Sequence, residues 1–367
     1  MKRNPLKNVK WTGEKIVAVI FVVGIFGLGL VTGGLSHRTI ARRAWNEYRR
    51  DSGGDSRVWA RLRRAANTVE SNFSETMGRR FFLAGLDTNL RFFLTGELAS
   101  QEVLLGRDNW LFYKTKVYGD PIADYRGTNP FRERELDIIH EQFRRLQQHL
   151  LARGIRLVVM MLPNKEQIYD PFMPDSIRRV NEQRRVDLLV EDLQKRGDLV
   201  VVYPKKELME FRDRYPLYYK HDTHWNELGA WIAAQQLLDR LYGHRLFLDD
   251  QQIDAAPAAV HDLADIIGMA WYFDDDQEYR VRRDEGEAAF PRTDRLLFIG
   301  DSFQDALKPI LPAYLAHATF VHREKYEASL LDEVRPDIVV LEYAERLLDY
   351  LLKEDHLWQA GRAEESR

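Results

Sequence analysis

The sequence contains no cysteine. Disulfide bonds and thiolate metal sites are therefore excluded, and thiols say nothing about the redox state of the compartment. It also lacks an excess of positive charge beyond its first 50 residues: residues 51–367 hold 44 Lys and Arg against 55 Asp and Glu, a net of −11 with histidine neutral. This balance argues against nucleic acid as a partner, and a polyanionic substrate would require a locally basic groove.

Long apolar runs are scarce, and one stands out near the N-terminus. Residues 16–35 form twenty consecutive residues without a charge, which is enough for a helix to cross a hydrocarbon core of ~30 Å. No A-x-A cleavage motif follows the run, so we expect an uncleaved single-pass anchor in the lipid bilayer. Five Lys and Arg precede the run and five follow it closely, so these flanking charges leave its orientation open.

The composition divides the chain into segments. Residues 51–56 form a flexible Gly- and Ser-containing break between Arg-rich helical stretches, and the composition of a core begins at about residue 81. We therefore expect a basic N-terminal segment (1–15), a transmembrane anchor (16–35), a membrane-proximal helical stalk (36–80), a catalytic domain (81–355) and a polar tail (356–367).

Within the expected catalytic domain, apolar runs alternate with amphipathic segments. The runs predicted to be buried strands are 156–162, 199–203, 296–299, 319–322 and 337–341. The segments predicted to be helices are 132–153, 181–195, 226–241, 305–315 and 344–353. This alternation predicts an α/β fold in which helices cover both faces of a parallel sheet.

Two short motifs 80 positions apart carry residues with catalytic chemistry. The first is His-Asp-Thr-His-Trp-Asn at 221–226, and the second is Gly-Asp-Ser-Phe at 300–303. Ser302 directly follows a predicted strand, which is where an α/β sheet places its chemistry. His224 is a candidate base for the serine hydroxyl, and Asp222 can orient the imidazole through its other nitrogen. Together they predict a Ser-His-Asp triad.

Other interpretations of these residues remain open from the motifs alone. Asp301 and Ser302 are also typical of a helix cap, and His221, Asp222 and His224 are also compatible with part of a metal site. The context of strand, turn and helix favours the triad. In that context the N–H of Ser302 and a neighbouring N–H can point at a developing oxyanion.

Together these stretches resemble the alginate O-acetyltransferase family of the AlgJ/AlgX type, whose catalytic domain is related to SGNH hydrolases. The resemblance covers about residues 100–350. It rests on a Gly-x-Asp-x-Trp-Leu-Phe-like segment at 106–112, on Pro-Asn-Lys-Glu at 163–166 after a strand, and on the two motifs above. It implies an SGNH-hydrolase-like three-layer sandwich with a mainly parallel sheet, circularly permuted so that Asp and His precede Ser.

The resemblance also implies roles for individual residues. Ser302 would be the nucleophile, His224 the base and Asp222 its orienter. Strand ends after the serine carry oxyanion groups in SGNH enzymes, and here those ends carry Arg323 and Tyr343. We expect Arg323, Tyr343, Asp301 and Trp225 as secondary residues that bind the acyl oxygen or the sugar, with an aromatic platform formed by Trp225 and residues 110–113. A purely structural role for Arg323 and Tyr343 is the open alternative, and core packing is the favoured role of Phe112. We expect no metal.

The activity implied is transfer of acetyl groups to an exopolysaccharide through an acyl-serine intermediate. The expected location is the cell inner membrane with the catalytic domain in the periplasm. No cofactor would be bound, since a membrane-bound O-acyltransferase would supply the acetyl groups indirectly. Two alternatives remain open: a polysaccharide acetyl esterase with the same triad, and a non-catalytic scaffold of a polysaccharide export complex.

Overall fold

A computed structural model describes residues 92–117, 119–243, 250–259, 262–282 and 292–353, all of which belong to one unit spanning Asp87–Arg367. The predicted anchor (16–35), stalk (36–80) and tail (356–367) lie outside these described residues. Among the helices that are described, none combines the length and apolar character needed to cross a membrane.

A five-stranded parallel sheet forms the centre of the fold, with the spatial order β4-β3-β9-β7-β8. Two separate antiparallel pairs, β1–β2 and β5–β6, accompany it. The predicted α/β class with a mainly parallel sheet is thereby confirmed. The strands are β1 (Val103–Leu105), β2 (Leu111–Tyr113), β3 (Arg156–Leu162), β4 (Val200–Val202), β5 (Ile253–Pro257), β6 (Gln277–Val281), β7 (Arg292–Gly300), β8 (Leu315–His322) and β9 (Ile338–Ala344).

The α-helices of the described residues lie between these strands in chain order. They are α1 (Pro121–Arg126), α2 (Glu133–Ala152), α3 (Lys165–Ile168), α4 (Arg185–Arg196), α5 (Lys205–Phe211), α6 (Glu227–Tyr242), α7 (Asp262–Ile266) and α8 (Leu330–Val334). Helix α6 begins where the Asn226 side chain accepts the N–H of Gly229, and it ends at Gly243 with a positive φ of 64°.

Two predicted helices differ in the structure. The segment predicted as a helix over 305–315 forms two short 3₁₀ turns, Ser302–Ala306 and Leu311–Ala313, because Pro309 and Pro312 lack the N–H that a continuous helix needs. The segment predicted over 344–353 begins one residue later as a 3₁₀ helix, Glu345–Leu352, since β9 extends through Ala344.

Alternating side chains of the sheet pack into two different cores. Val158, Phe298 and Val340 belong to a cluster that includes much of α6, whereas Val159 and Leu341 belong to one that includes α2 and α4. This two-sided burial explains why the strands read as continuous apolar runs. The result is a three-layer arrangement in which the carboxyl ends of β3, β7, β8 and β9 meet at one edge of the sheet.

Candidate active site

A hydrogen-bonded chain of three side chains lies at this edge of the sheet. Ser302 follows β7, and its Oγ lies 2.6 Å from Nε2 of His224. The other ring nitrogen, Nδ1 of His224, lies 2.7 Å from Oδ1 of Asp222. The structure therefore brings together the serine, the imidazole and the carboxylate that the two motifs predicted, with the serine and the carboxylate on opposite nitrogens of the imidazole.

The carboxylate of Asp222 is held by further donors. Its Oδ1 also accepts the backbone N–H of His224 at 2.9 Å, and its Oδ2 accepts the N–H of Asp262 at 2.9 Å. Burial would raise the pKa of Asp222, but the hydrogen bonds and charge of His224 and the N–H of Asp262 outweigh it and lower this pKa to about 2. Asp222 is therefore an anion at neutral pH, as an orienter of the imidazole must be.

A second carboxylate, Asp262 at the start of α7, lies just beyond this contact. Its Oδ2 is 3.6 Å from Nδ1 of His224, and its carboxylate accepts both the N–H and the hydroxyl of Thr223. Burial and the charge of Asp222 raise the pKa of Asp262. Sequence reasoning missed this residue, because it lies 40 positions after Asp222 and outside any motif.

The alternative metal set of His221, Asp222 and His224 is not assembled. The fully buried His221 ring turns away from the triad, and its Nδ1 lies 3.1 Å from Oδ2 of Asp276. Among the described residues, the group with ligand atoms within 4.8 Å of one another is instead Asp222, His224 and Asp262. In that group the carboxylates already accept N–H and O–H groups of the protein.

A buried lysine holds the loop that carries Asp222 and His224. Nζ of Lys165 donates hydrogen bonds to the carbonyls of Tyr219 (3.1 Å), Lys220 (3.1 Å) and Asp222 (2.7 Å). Burial lowers the pKa of Lys165 to about 8. The Pro-Asn-Lys-Glu segment after β3 thus fixes the position of the loop through the hydrogen bonds of Lys165. The spacing of residues in the sequence does not reveal this role.

The turn at Ser302 depends on a glycine and a buried acid. A Cβ on Gly300 would lie 2.3 Å from Oε2 of Glu342, and that oxygen accepts the N–H of Asp301 at 2.8 Å. Burial and the charge of Asp301 raise the pKa of Glu342 well above its ordinary value. The Asp301 side chain caps the turn by accepting the N–H of Phe303 at 2.8 Å, so that N–H does not point into the cleft as the sequence had suggested.

Two of the predicted secondary residues place their side chains against the core. Tyr343 is fully buried and packs edge-on against Phe143 of α2, on the opposite face of the sheet from α6. The Arg323 guanidinium lies 4.0 Å from the Tyr343 ring centroid and donates to the carbonyl of Glu342. Arg323 still borders the cleft, but its guanidinium is committed to this buried contact.

Three rings of the expected aromatic platform for a sugar lie in the core instead of the cleft. Trp225 is 1% exposed, and its indole N–H donates to the carbonyl of Phe303 at 3.1 Å. Trp110 is 7% exposed and stacks on Tyr169 at 4.4 Å, while Phe112 is fully buried. These three rings stabilise the core beneath the site, whereas Tyr113, the last residue of the expected platform, lines the cleft.

An open cleft of about 830 Å³ gives access to Ser302 and His224, which is within the usual range for ligand sites. The remaining lining residues mix cationic, anionic, aromatic and aliphatic side chains: Tyr113, Thr223, Asp262, Ile266, Gly300, Asp301, His322, Arg323, Glu324, Lys325, Arg346, Leu347, Tyr350 and Lys353. A substrate of several sugar units or a bulky acyl ester would fit within this volume.

Comparison with known proteins gives a family match over most of this unit. Residues 103–309, more than half of the chain, match the family model described as the SGNH hydrolase-like domain of acetyltransferase AlgX. The matched stretch contains both motifs and the whole Asp222–His224–Ser302 chain of hydrogen bonds. Two curated relatives and one solved structure add to this match.

Both relatives are named probable alginate O-acetylase AlgJ. The one from Pseudomonas aeruginosa is 27% identical over 138 residues, which cover 37% of this chain and 32% of the relative. The one from Pseudomonas putida is 24% identical over 289 residues, which cover 67% of this chain and 70% of the relative. The solved O-acetyltransferase domain of Pseudomonas putida AlgJ superposes on this chain with a TM-score of 0.51 at 18% identity. The superposition covers 71% of this chain and 99% of that domain, so the two share a fold.

Proposed function

The chain belongs to the family of SGNH hydrolase-like acetyltransferase domains typified by AlgX, and we propose from this premise that it is an O-acetyltransferase in which Ser302 carries the acetyl group to a hydroxyl of an exopolysaccharide. The observation that carries the proposal is the continuous chain of hydrogen bonds from Asp222 through His224 to Ser302, which opens onto a cleft large enough for sugar units.

In the first half-reaction, Ser302 Oγ attacks the carbonyl carbon of an acetyl ester while Nε2 of His224 takes the hydroxyl proton. The tetrahedral intermediate then collapses, the donor's oxygen leaves, and His224 returns the proton to it. The distance of 2.6 Å between Nε2 and Oγ suits this proton transfer without rearrangement. The product is an acetyl ester of Ser302.

In the second half-reaction, a sugar hydroxyl replaces the leaving group. His224 takes its proton, the sugar oxygen attacks the acetyl carbon, and collapse returns the proton to Ser302 and releases the acetylated sugar. In both halves the imidazolium forms beside the Asp222 carboxylate, whose lowered pKa keeps it ionised and able to stabilise that cation.

The cellular setting extends the proposal beyond the site. We propose that residues 16–35 anchor the chain in the inner membrane, that the catalytic domain lies in the periplasm, and that a membrane-bound O-acyltransferase delivers the acetyl groups without a cofactor bound to this chain. The charge-free run and the family membership support this setting. The order of Asp and His before Ser supports a circularly permuted SGNH arrangement.

The proposal is tested with the full-length protein in detergent, a p-nitrophenyl acetate donor, and a polysaccharide acceptor that is present or absent. We expect acetyl transfer to the acceptor, and a loss of several orders of magnitude in Ser302→Ala. Ser329→Ala is the matched control, because Ser329 is exposed and its side chain makes no capping hydrogen bond. Acetyl release to water that the acceptor does not change would identify an esterase, and full activity in Ser302→Ala would refute the nucleophile.

A second test uses the polymer made by the native host. Deletion of the protein is expected to give an exopolysaccharide with fewer O-acetyl groups and an unchanged backbone. Complementation with Ser302→Ala should leave the acetyl content low, because the variant retains the fold and lacks the acyl carrier. A polymer with more acetyl than wild type would contradict the transferase and favour the esterase, and full rescue by Ser302→Ala would favour the scaffold.

A further inference from the structure

Most backbone donors around the nucleophile are already engaged. The N–H of Asp301 donates to Glu342 at 2.8 Å, that of Phe303 donates to Asp301 at 2.8 Å, and that of Ala344 donates to Asp301 at 3.3 Å. The N–H of Ser302 has no acceptor within the part of the chain that the structure describes. This turn therefore supplies one backbone donor to an oxygen bound beside Ser302 Oγ, whereas hydrolase oxyanion holes combine two or more.

Two nearby polar side chains already donate hydrogen bonds to other groups of the protein or pack against the core. The Asn164 amide at the end of β3 donates to Glu166 at 2.9 Å, and its oxygen accepts the N–H of Arg346 at 3.2 Å. The Arg323 guanidinium lies against the buried Tyr343 ring.

Arg346 combines a fixed positive charge with a position in the cleft. It follows β9, lines the same cleft as Ser302, and its guanidinium lies 5.1 Å from the ring centroid of Phe303, the residue after the nucleophile. Its side chain is only partly exposed, and within the described residues no carboxylate or carbonyl accepts a hydrogen bond from it. A guanidinium remains charged at any physiological pH and offers five donors, so this position suits an anion.

We infer that Arg346 is a further catalytic residue, which together with the N–H of Ser302 binds the acyl oxygen and stabilises the oxyanion of both tetrahedral intermediates. The inference rests on the proposed acetyl transfer. When Ser302 Oγ bonds to the acetyl carbon, the carbonyl electron pair moves to its oxygen and the serine proton moves to His224. Arg346 donates hydrogen bonds to that oxygen and keeps its own protons. When the intermediate collapses, the electron pair on that oxygen re-forms the carbonyl, and the leaving oxygen departs with the proton that His224 held.

The decisive assay measures hydrolysis of p-nitrophenyl acetate by the full-length protein without any acceptor, since this donor is neutral and has no carboxylate that Arg346 could bind in the ground state. We expect Arg346→Ala and Arg346→Gln to lower kcat by about 10²-fold or more, with KM within a few-fold, because an oxyanion donor acts in the transition state. Arg346→Lys should recover part of the loss, and added guanidinium ion should partly rescue Arg346→Ala. If Arg346→Ala does not fold, as judged by thermal unfolding, the Gln and Lys variants carry the test.

Arg292→Ala is the matched control. Arg292 also places its guanidinium against an aromatic ring, 4.7 Å from the centroid of Tyr242, but it begins β7 at the end opposite Ser302. Its kcat should equal that of the wild type. The inference would be overturned if Arg346→Ala kept the wild-type kcat or if its defect were confined to KM. It would also be overturned if the loss appeared only with a uronic-acid acceptor, because Arg346 would then bind a sugar carboxylate. Hydrolysis that persists in Ser302→Ala would instead refute the proposed function.

Discussion

Two carboxylates lie close to the same imidazole nitrogen, and exchanging each for an amide separates their contributions. Oδ1 of Asp222 lies 2.7 Å from Nδ1 of His224, and Oδ2 of Asp262 lies 3.6 Å from it. Both oxygens of Asp222 accept N–H groups. In Asp222→Asn, the amide NH₂ must therefore face one of these donors in either orientation.

The expected loss of activity in Asp222→Asn is about 10³- to 10⁴-fold, because the imidazole is then held in the wrong tautomer or loses its partner. The expected loss of stability follows from the lowered pKa. The fall from the ordinary value of 3.8 to about 2 corresponds to about 2 kcal/mol of unfolding free energy. This contribution is present above pH 3.8 and is lost as the pH falls towards about 2.

Asp262→Asn is expected to behave differently. The amide oxygen can still accept the N–H of Thr223, and the backbone N–H of residue 262 still reaches Asp222. The contact between Asp222 and His224 stays intact, so activity should fall by about tenfold or less, on the scale of one weakened hydrogen bond.

The measurements are initial rates of acetyl ester hydrolysis and urea unfolding monitored by tryptophan fluorescence, each at neutral and at acidic pH. A loss of activity in Asp262→Asn equal to or greater than that in Asp222→Asn would refute Asp222 as the orienter. An Asp222→Asn protein as stable as wild type at neutral pH would refute the electrostatic argument.

Three further predictions concern Gly300, Lys165 and the orientation of the chain in the membrane. Gly300→Ala should cost about 1–3 kcal/mol in urea unfolding and lower activity, because its Cβ would press on Glu342; wild-type values would contradict the close approach. Lys165→Met should cost at least about 2 kcal/mol, since a charged donor to three carbonyls is lost, and should lower acetyl transfer; an unchanged rate would show that the loop holds His224 without it. A cysteine replacing Ser56 in this cysteine-free chain should react with a membrane-impermeant thiol reagent in intact spheroplasts, and labelling only after lysis would reverse the proposed orientation.

The sheet was predictable where the local sequence was unambiguous. The apolar run at 156–162 forms β3 with the same limits, and Asn226 caps α6 as its position indicates. The error at 305–315 has a local cause, since the two prolines that break that helix are visible in the sequence. The pairing of β1 with β2 and of β5 with β6 was not predicted, because β1 has only three residues and β5 is largely exposed.

The contact of Ser302 with His224 was predictable because both residues lie in motifs, one of which directly follows a strand. The surrounding residues depend on long-range packing that spacing does not encode: Lys165 reaches a loop more than 50 positions away, and Glu342 reaches Asp301 from a neighbouring strand. The expectation for Tyr343 ignored the alternation of β9, which places Tyr343 with Leu341 on the face towards α2.

Acetyl transfer through Ser302 requires a covalent acetyl ester on this side chain. The full-length protein is mixed with p-nitrophenyl acetate, quenched in acid, and analysed by intact mass and peptide mapping, with Ser302→Ala and Ser329→Ala in parallel. We expect one acetyl group on the peptide that contains Ser302, present in the wild type and in Ser329→Ala and absent in Ser302→Ala. This group should be removed when a polysaccharide acceptor is added before the quench. Acetylation at another residue, or an unchanged rate of acetyl transfer in Ser302→Ala, would contradict acetyl transfer through Ser302.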